Sequence, residues 1–83
     1  MERLAVISAI LETPEEHQEQ FNRIVAEYKA LVKGRLGLPL EEHGISAIAI
    51  VVIGKMDEIN SLTGKLGSIP GVQVKTSISQ KRI

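Results

Sequence analysis

Nine consecutive residues, Ile45-Ser46-Ala47-Ile48-Ala49-Ile50-Val51-Val52-Ile53, are apolar on both faces of any strand they form, in a chain of only 83 residues. A strand with one wet face alternates apolar and polar side chains with a period of two. Here Ile45, Ala47, Ala49, Val51 and Ile53 fall on one side and Ile48, Ile50 and Val52 on the other, with Ser46 the lone interruption. Gly44 and Gly54 bound the run, which is far below the ~20 residues that cross a bilayer. It reads as a strand buried on both sides. A domain of this size buries only roughly 60–65% of its unfolded surface, so covering both sides of such a strand strains what one small chain can supply.

The remaining segments sort around it. Residues 3–12 form a second strand apolar on both faces, broken only by Ser8. Thr13-Pro14-Glu15-Glu16 is a helix start: Thr13 can cap, Pro14 suits the first helical position, and Glu16 closes a capping box. Phe21, Ile24, Val25, Tyr28, Leu31 and Val32 follow at helical spacing, which carries the helix to about Lys33-Gly34. Residues 35–40 contain Gly37 and Pro39, so they can pair only as an edge strand. Glu41-Glu42-His43-Gly44 turns the chain back antiparallel into the long apolar strand.

A second helix runs from Met56 or Asp57 to Leu66, with Asp57 as its cap, Gly64 inside it and Gly67 suited to a left-handed end. Pro70-Gly71 leads into a last strand in which Val72, Val74, Thr76 and Ile78 alternate with polar residues, the pattern of a sheet edge.

The order β-α-β-β-α-β with right-handed crossovers gives one domain over 1–83. Its class is α+β, a ferredoxin-like sandwich with a four-stranded antiparallel sheet and two helices on one face. The doubly apolar strands are then central and the broken or half-polar strands are edges. Two helices cover one face of the sheet, and the other asks for a partner. Its two central strands alone span about 300 Å², the size at which an apolar patch on a small protein is functional. A homodimer or higher homo-oligomer follows as the simplest cover. Alanines at 5, 9, 47 and 49 would let helices approach closely, which assigns Val6, Ser8, Ile10, Ser46, Ile48, Ile50 and Val52 to the uncovered, interface side.

Little in the residues speaks of chemistry. The absence of cysteine excludes disulfides and thiolate sites. Ten basic and ten acidic residues cancel, which argues against a general polyanion binder. The charge is uneven along the chain: residues 61–83 hold Lys65, Lys75, Lys81 and Arg82 with no acid. His17 and His43, the only histidines, lie far apart and read as solvated. Gly64-Lys65-Leu66-Gly67 lacks the spacing of a phosphate loop. The only aromatics, Phe21 and Tyr28, lie on the helix stripe, so the sheet offers no bases a stacking platform. These residues call for no catalytic group, metal or cofactor, and no membrane contact; the expected setting is the cytoplasm.

The run Ser61-Leu62-Thr63-Gly64-Lys65-Leu66-Gly67, followed by Ile69-Pro70-Gly71-Val72-Gln73-Val74-Lys75, closely resembles the C-terminal signature of a family of small bacterial proteins. They are described as regulators of the iron-only hydrogenase system. Arg35-Leu36-Gly37-Leu38-Pro39 and the apolar first strand extend the resemblance to nearly the whole chain. It implies an ACT-like fold, related to the C-terminal domain of the nickel-responsive repressor, and a regulatory rather than catalytic role. Its expected partners are a second copy, another regulatory protein or a small effector. An effector is expected between the 12–14 loop of one subunit and residues 35–38 of a neighbour, at Thr13, Arg35, Gly37 and Leu38. Two rival readings are a DNA-binding regulator using Lys75, Lys81 and Arg82 and, more weakly, a small ferredoxin-fold dimeric enzyme.

Overall fold

The computed structural model describes residues 1–83 and threads both doubly apolar segments through the middle of one sheet. The elements are β1 (Arg3–Glu12), α1 (Pro14–Glu27), β2 (Val32–Leu40), a single 3₁₀ turn (Glu41–His43), β3 (Ile45–Gly54), α2 (Met56–Gly67) and β4 (Val72–Arg82). The strands run in the order β2-β3-β1-β4, every neighbouring pair antiparallel. This is the expected ferredoxin-like arrangement, with the broken β2 and half-polar β4 at the edges.

One face of the sheet carries the core. Ala5, Ile7, Ala9 and Leu11 of β1 and Ile48, Ile50 and Val52 of β3 lie beneath Phe21 and Val25 of α1 and Ile59, Leu62 and Leu66 of α2. The expected orientation of β1 holds, with Val6, Ser8 and Ile10 on the helix-free face. That of β3 is reversed: Ile48, Ile50 and Val52 are buried under the helices, and Ala47, Ala49 and Val51 face the open side. Ser46, opposite buried Leu11, also turns to the helix side. The register gives the reason. On the covered face Ala5 pairs with Val52, Ile7 with Ile50 and Ala9 with Ile48, so large side chains of β3 fill the volume that the alanines of β1 leave. Alanines on both strands would leave that layer underfilled.

Several boundaries also differ from the periodicity. The α1 stripe carries past Tyr28, but the helix ends at Glu27 and residues 28–31 form a turn. Tertiary contacts decide this. Ile53 N–H donates to Leu31 O at 2.9 Å, and the Leu31 side chain occupies the space above Gly54, where a Cβ would stand 2.6 Å from Leu31 Cδ2. Leu31 thus stays in the core without being helical, and β2 starts at Val32, with a register shift before Gly34.

The caps differ too. Thr13 takes the left-handed conformation (φ 49°, ψ 63°), so its hydroxyl caps nothing and the Thr13–Glu16 box does not form. A capping side chain needs an extended backbone beneath it; here the Thr13 N–H is instead committed to Gly44 O at 3.0 Å. At α2 the cap position is Lys55, whose N–H donates to Glu58 Oε1 at 3.0 Å, while Asp57 Oδ1 accepts from Glu58 N–H at 2.9 Å. Gly67 ends that helix without a positive φ; Ser68 closes it, its N–H donating to Gly64 O and its hydroxyl to Lys65 O.

Candidate functional site

The helix-free face is the most distinctive surface. Of the large apolar side chains left exposed, Val6, Ile10, Leu36 and Leu38 all lie on it. Leu36 and Leu38 belong to β2, where they pair with Ala49 and Ala47. On the other flank those same alanines pair with Ser8 and Ile10 of β1. Small residues on the central β3 between taller neighbours open a trough of ≈ 320 Å³, lined by Ser8, Ile10, Leu36, Leu38, Ala47 and Ala49 and by the strand at Ala9 and Ile48. Toward β4 the face turns polar, because Gln73, Lys75 and Ser77 stand opposite Ile10, Ser8 and Val6. The Ser8 hydroxyl is spent within the sheet, donating to Lys75 O at 3.3 Å. With Leu36 and Leu38 more than half exposed, at 71% and 56%, this face is apolar surface left in water.

A second depression, ≈ 380 Å³, lies where α1 begins. Pro14, Glu15 and Gln18 form one wall and Pro39, Leu40, Glu41, Gly44, Ile45 and Ser46 the other. Its shape follows from the short connections on both sides, joined by the Thr13–Gly44 hydrogen bond. Two carboxylates, Glu15 and Glu41, stand in its lining. No group of three or more His, Cys, Asp or Glu side chains is close enough to hold a metal ion.

The expected effector residues do not converge within one chain. Thr13 immediately precedes Pro14, a lining residue of the α1 cleft, and Leu38 lies in the trough on the opposite face. Arg35 turns toward the helices: its Nη2 donates to Asn22 Oδ1 at 2.6 Å, and its guanidinium lies 5.6 Å from the Phe21 ring centroid. Gly37, pairing with buried Ile48, faces the same way with open space above it. The basic residues of the chain end are likewise spread, with Lys75 beside Ser8 at mid-sheet and Lys81 and Arg82 at its far end.

A third group had no sequence signal, because its members come from the end of α1, the turn that follows it and α2. Tyr28 Oη and Ser61 Oγ share a hydrogen bond of 2.7 Å, Lys65 Nζ lies 5.2 Å from the Tyr28 ring centroid, and Lys65 reaches Glu27 at 3.4 Å. The Ser61 hydrogen bond, helped by Lys65, lowers the Tyr28 pKa below its ordinary value; the Tyr28 hydroxyl, with Glu27, raises that of Lys65. A tyrosine primed by a lysine is a proton donor in principle, yet neither depression includes these residues. The group ties α1 to α2 on an open surface.

Sheet order, helix placement and a single open face define an ACT-like module of the ferredoxin fold. The chain belongs to the TM1266-like family, whose model matches residues 3–76 and whose description reads "Iron-only hydrogenase system regulator, putative". Among solved structures it is similar to the uncharacterized protein TM1266 from Thermotoga maritima, at 30% identity over 96% of this chain and 100% of that one, with a TM-score of 0.92. The ACT domain of GTP pyrophosphokinase from Chlorobium tepidum shares the fold at 16% identity, over 98% of this chain and 90% of that one, with a TM-score of 0.71. So does the C-terminal domain of the MgtC protein from Mycobacterium tuberculosis, at 14% identity over 94% and 88%, with a TM-score of 0.68. No curated protein matches the chain. No helix is long and apolar enough to cross a membrane.

Proposed function

We propose that the chain is a cytoplasmic, non-catalytic regulatory module of the iron-only hydrogenase system, working as a homodimer closed through the helix-free sheet face. The family description supports the regulatory role. The observation that carries the assembly is the exposed ring of Val6, Ile10, Leu36 and Leu38 around the alanine trough. Four strands ~4.8 Å apart and ~30 Å long present roughly 600 Å² per copy, or about 1,200 Å² for a pair, the lower bound of specific interfaces. Val6, Ser8 and Ile10 keep the interface role expected of them. Ala47, Ala49 and Val51 take the places assigned to Ile48, Ile50 and Val52, which the core already occupies.

A small effector binds at the β2 edge. There one strand offers Arg35 and Gly37 on its helix side and Leu38 on its open side, and Thr13 would come from the β1–α1 connection of a neighbouring subunit. Thermal-shift measurements against amino acids and divalent metals test this part. A stabilising compound whose effect is lost in Arg35→Ala supports it, and no response to any of them removes it.

The regulatory role is tested in cells. Deleting the gene should change iron-only hydrogenase transcript levels or activity, and restoring it as Ala49→Glu, a variant with a charged sheet face, should fail to complement. Unchanged hydrogenase expression and activity on deletion overturns the role.

A further inference from the structure

The net charge of the chain is zero, but the fold separates the charges along its length. The body measures 41 × 18 × 17 Å, and only the strand direction accounts for the long dimension, since eleven residues at ~3.3 Å rise span ~36 Å. At one end of the strands lie Glu12, Glu15, Glu16, Glu41 and Glu42, from the end of β1, the start of α1 and the β2–β3 turn, with no lysine or arginine. At the other end lie Arg3, Lys29, Lys33, Lys55, Lys81 and Arg82, opposed by Glu2, Asp57 and Glu58. The two ion pairs of the chain, Arg23–Glu19 and Lys65–Glu27, involve none of these residues, so both poles are uncompensated by direct pairing.

The open face has a second gradient, across the strands. Its β2 side is leucine, its centre is small and apolar, and its β4 side is Gln73, Lys75 and Ser77. Leu36, Ala49, Ser8 and Lys75 form one cross-strand row near mid-sheet.

Two copies packed open face to open face are related by a two-fold axis lying between the sheets. An axis along the strands sets β2 over the partner's β4, burying leucines against Gln73 and Lys75, and lays acidic end on acidic end. An axis across the strands sets β2 over β2 and β4 over β4, and lays the acidic end over the basic end. Both gradients favour the second choice: apolar area meets apolar area, and opposite poles approach across packed sheets ~10 Å apart, within about one Debye length at 0.1 M salt.

We infer that the partner of this face is a second copy related by a two-fold axis across the strands, near the row Leu36–Ala49–Ser8–Lys75, with strands antiparallel between copies. Leu36 then stands over its own symmetry mate, Leu38 packs over the glycine step at position 34 of the second copy, and Lys75 sits at the rim beside its symmetry mate, where a long aliphatic stem keeps its charge in water. The inference rests on the proposed sheet-face dimer and adds its geometry.

The natural absence of cysteine makes the test direct. Leu36→Cys and Lys75→Cys are prepared separately, checked for folding by circular dichroism, and treated with a bis-maleimide spanning ~10 Å, the spacing of packed sheets. Leu36→Cys alone should cross-link most chains into dimers, and a mixture of the two variants should give little Leu36–Lys75 product. Separately, Lys81→Glu/Arg82→Glu should weaken dimerisation several-fold at low salt, and salt should weaken the wild-type dimer.

Dominant Leu36–Lys75 cross-linking, or a dimer tightened by the glutamates and by salt, overturns the axis while leaving the sheet-face dimer standing. A dimer that cross-links at neither position overturns the face as well. A wild-type monomer at micromolar concentration removes both.

Discussion

The imidazole of His17 lies directly over Gly71, its Cε1 2.8 Å from where a Cβ on that glycine would stand. His17 Nδ1 is 2.8 Å from Glu12 O, so this nitrogen carries the proton and donates, since a carbonyl only accepts. Glu12 N–H in turn donates to Gly71 O at 2.8 Å. One side chain thereby holds the first turn of α1 against the end of β1 and the start of β4. The histidine expected to be solvated is a fastening between elements.

Gly71→Ala should therefore destabilise the fold on two counts. Its φ of 81° is left-handed, which costs an L-residue roughly 1–2 kcal/mol. The new methyl also displaces His17, for a total of about 2 kcal/mol or more. In a His17→Ala background the loss should shrink by the steric share and keep the backbone share. Urea unfolding of the four-member cycle measures this; equal losses in both backgrounds would show that the contact contributes nothing.

Thr13 is the one residue other than glycine with a positive φ, and it is β-branched, the poorest type for that region. Thr13→Asn should raise stability by up to about 1 kcal/mol, because asparagine tolerates the left-handed region. In a domain of this size that is an increase of roughly 4–8 °C in Tm. The gain requires that the Thr13 hydroxyl holds nothing in the folded chain, consistent with its lack of a capping bond. A fall in Tm would mean that the side chain makes a stabilising contact.

Ile50 and Ala49 are sequence neighbours with opposite expected responses to charge. Ile50 is fully buried, so Ile50→Glu strands a carboxylate in the core and should unfold the protein, at a cost of more than about 4 kcal/mol. Ala49→Glu points into the open trough and should leave the circular dichroism spectrum intact while shifting light scattering to the monomer. A folded Ile50→Glu monomer would reverse the face assignment of β3.

The contrast between these two residues marks what the sequence could carry. Strand order, centre and edge were legible because apolarity on both faces, or its interruption at Pro39, is a local property of each strand. Which face of β3 meets the helices was not, since both faces are apolar and the choice depends on register with β1. There Ala5 and Ala9 require Val52 and Ile48 as neighbours. The end of α1 was hidden for the same reason: Leu31 keeps helical spacing, but its position is set by Gly54, more than twenty residues away. The open face was legible as a need for cover, whereas its trough depends on Leu36 and Leu38 flanking alanines of another strand. The Tyr28–Ser61–Lys65 group is purely tertiary, and only assembly of the helices reveals it.

That group gives a pH signature with a clean optical probe, since Tyr28 is the only tyrosine and there is no tryptophan. Its phenolate absorbance should titrate below the ordinary value of 10.0, because Ser61 and then Lys65 favour the ionised form. Ser61→Ala should return it furthest toward that value and Lys65→Met less far. The effect on stability has two limbs. With the folded-state pKa of Tyr28 lowered, the unfolded chain holds a proton that the folded chain has shed, so this contribution grows as pH rises toward 10.0 and is lost as pH falls through the folded value. The pKa of Lys65 is raised above 10.5, so its contribution is whole below 10.5 and is lost as pH climbs through its own folded value. The Tm difference between wild type and Lys65→Met should therefore widen on approaching pH 10 and close again well above 10.5. At neutral pH it should be small, since Lys65 and Glu27 are both about half exposed and such pairs contribute little. An unchanged tyrosine titration in both variants would show that the two helices are not clasped through this hydroxyl.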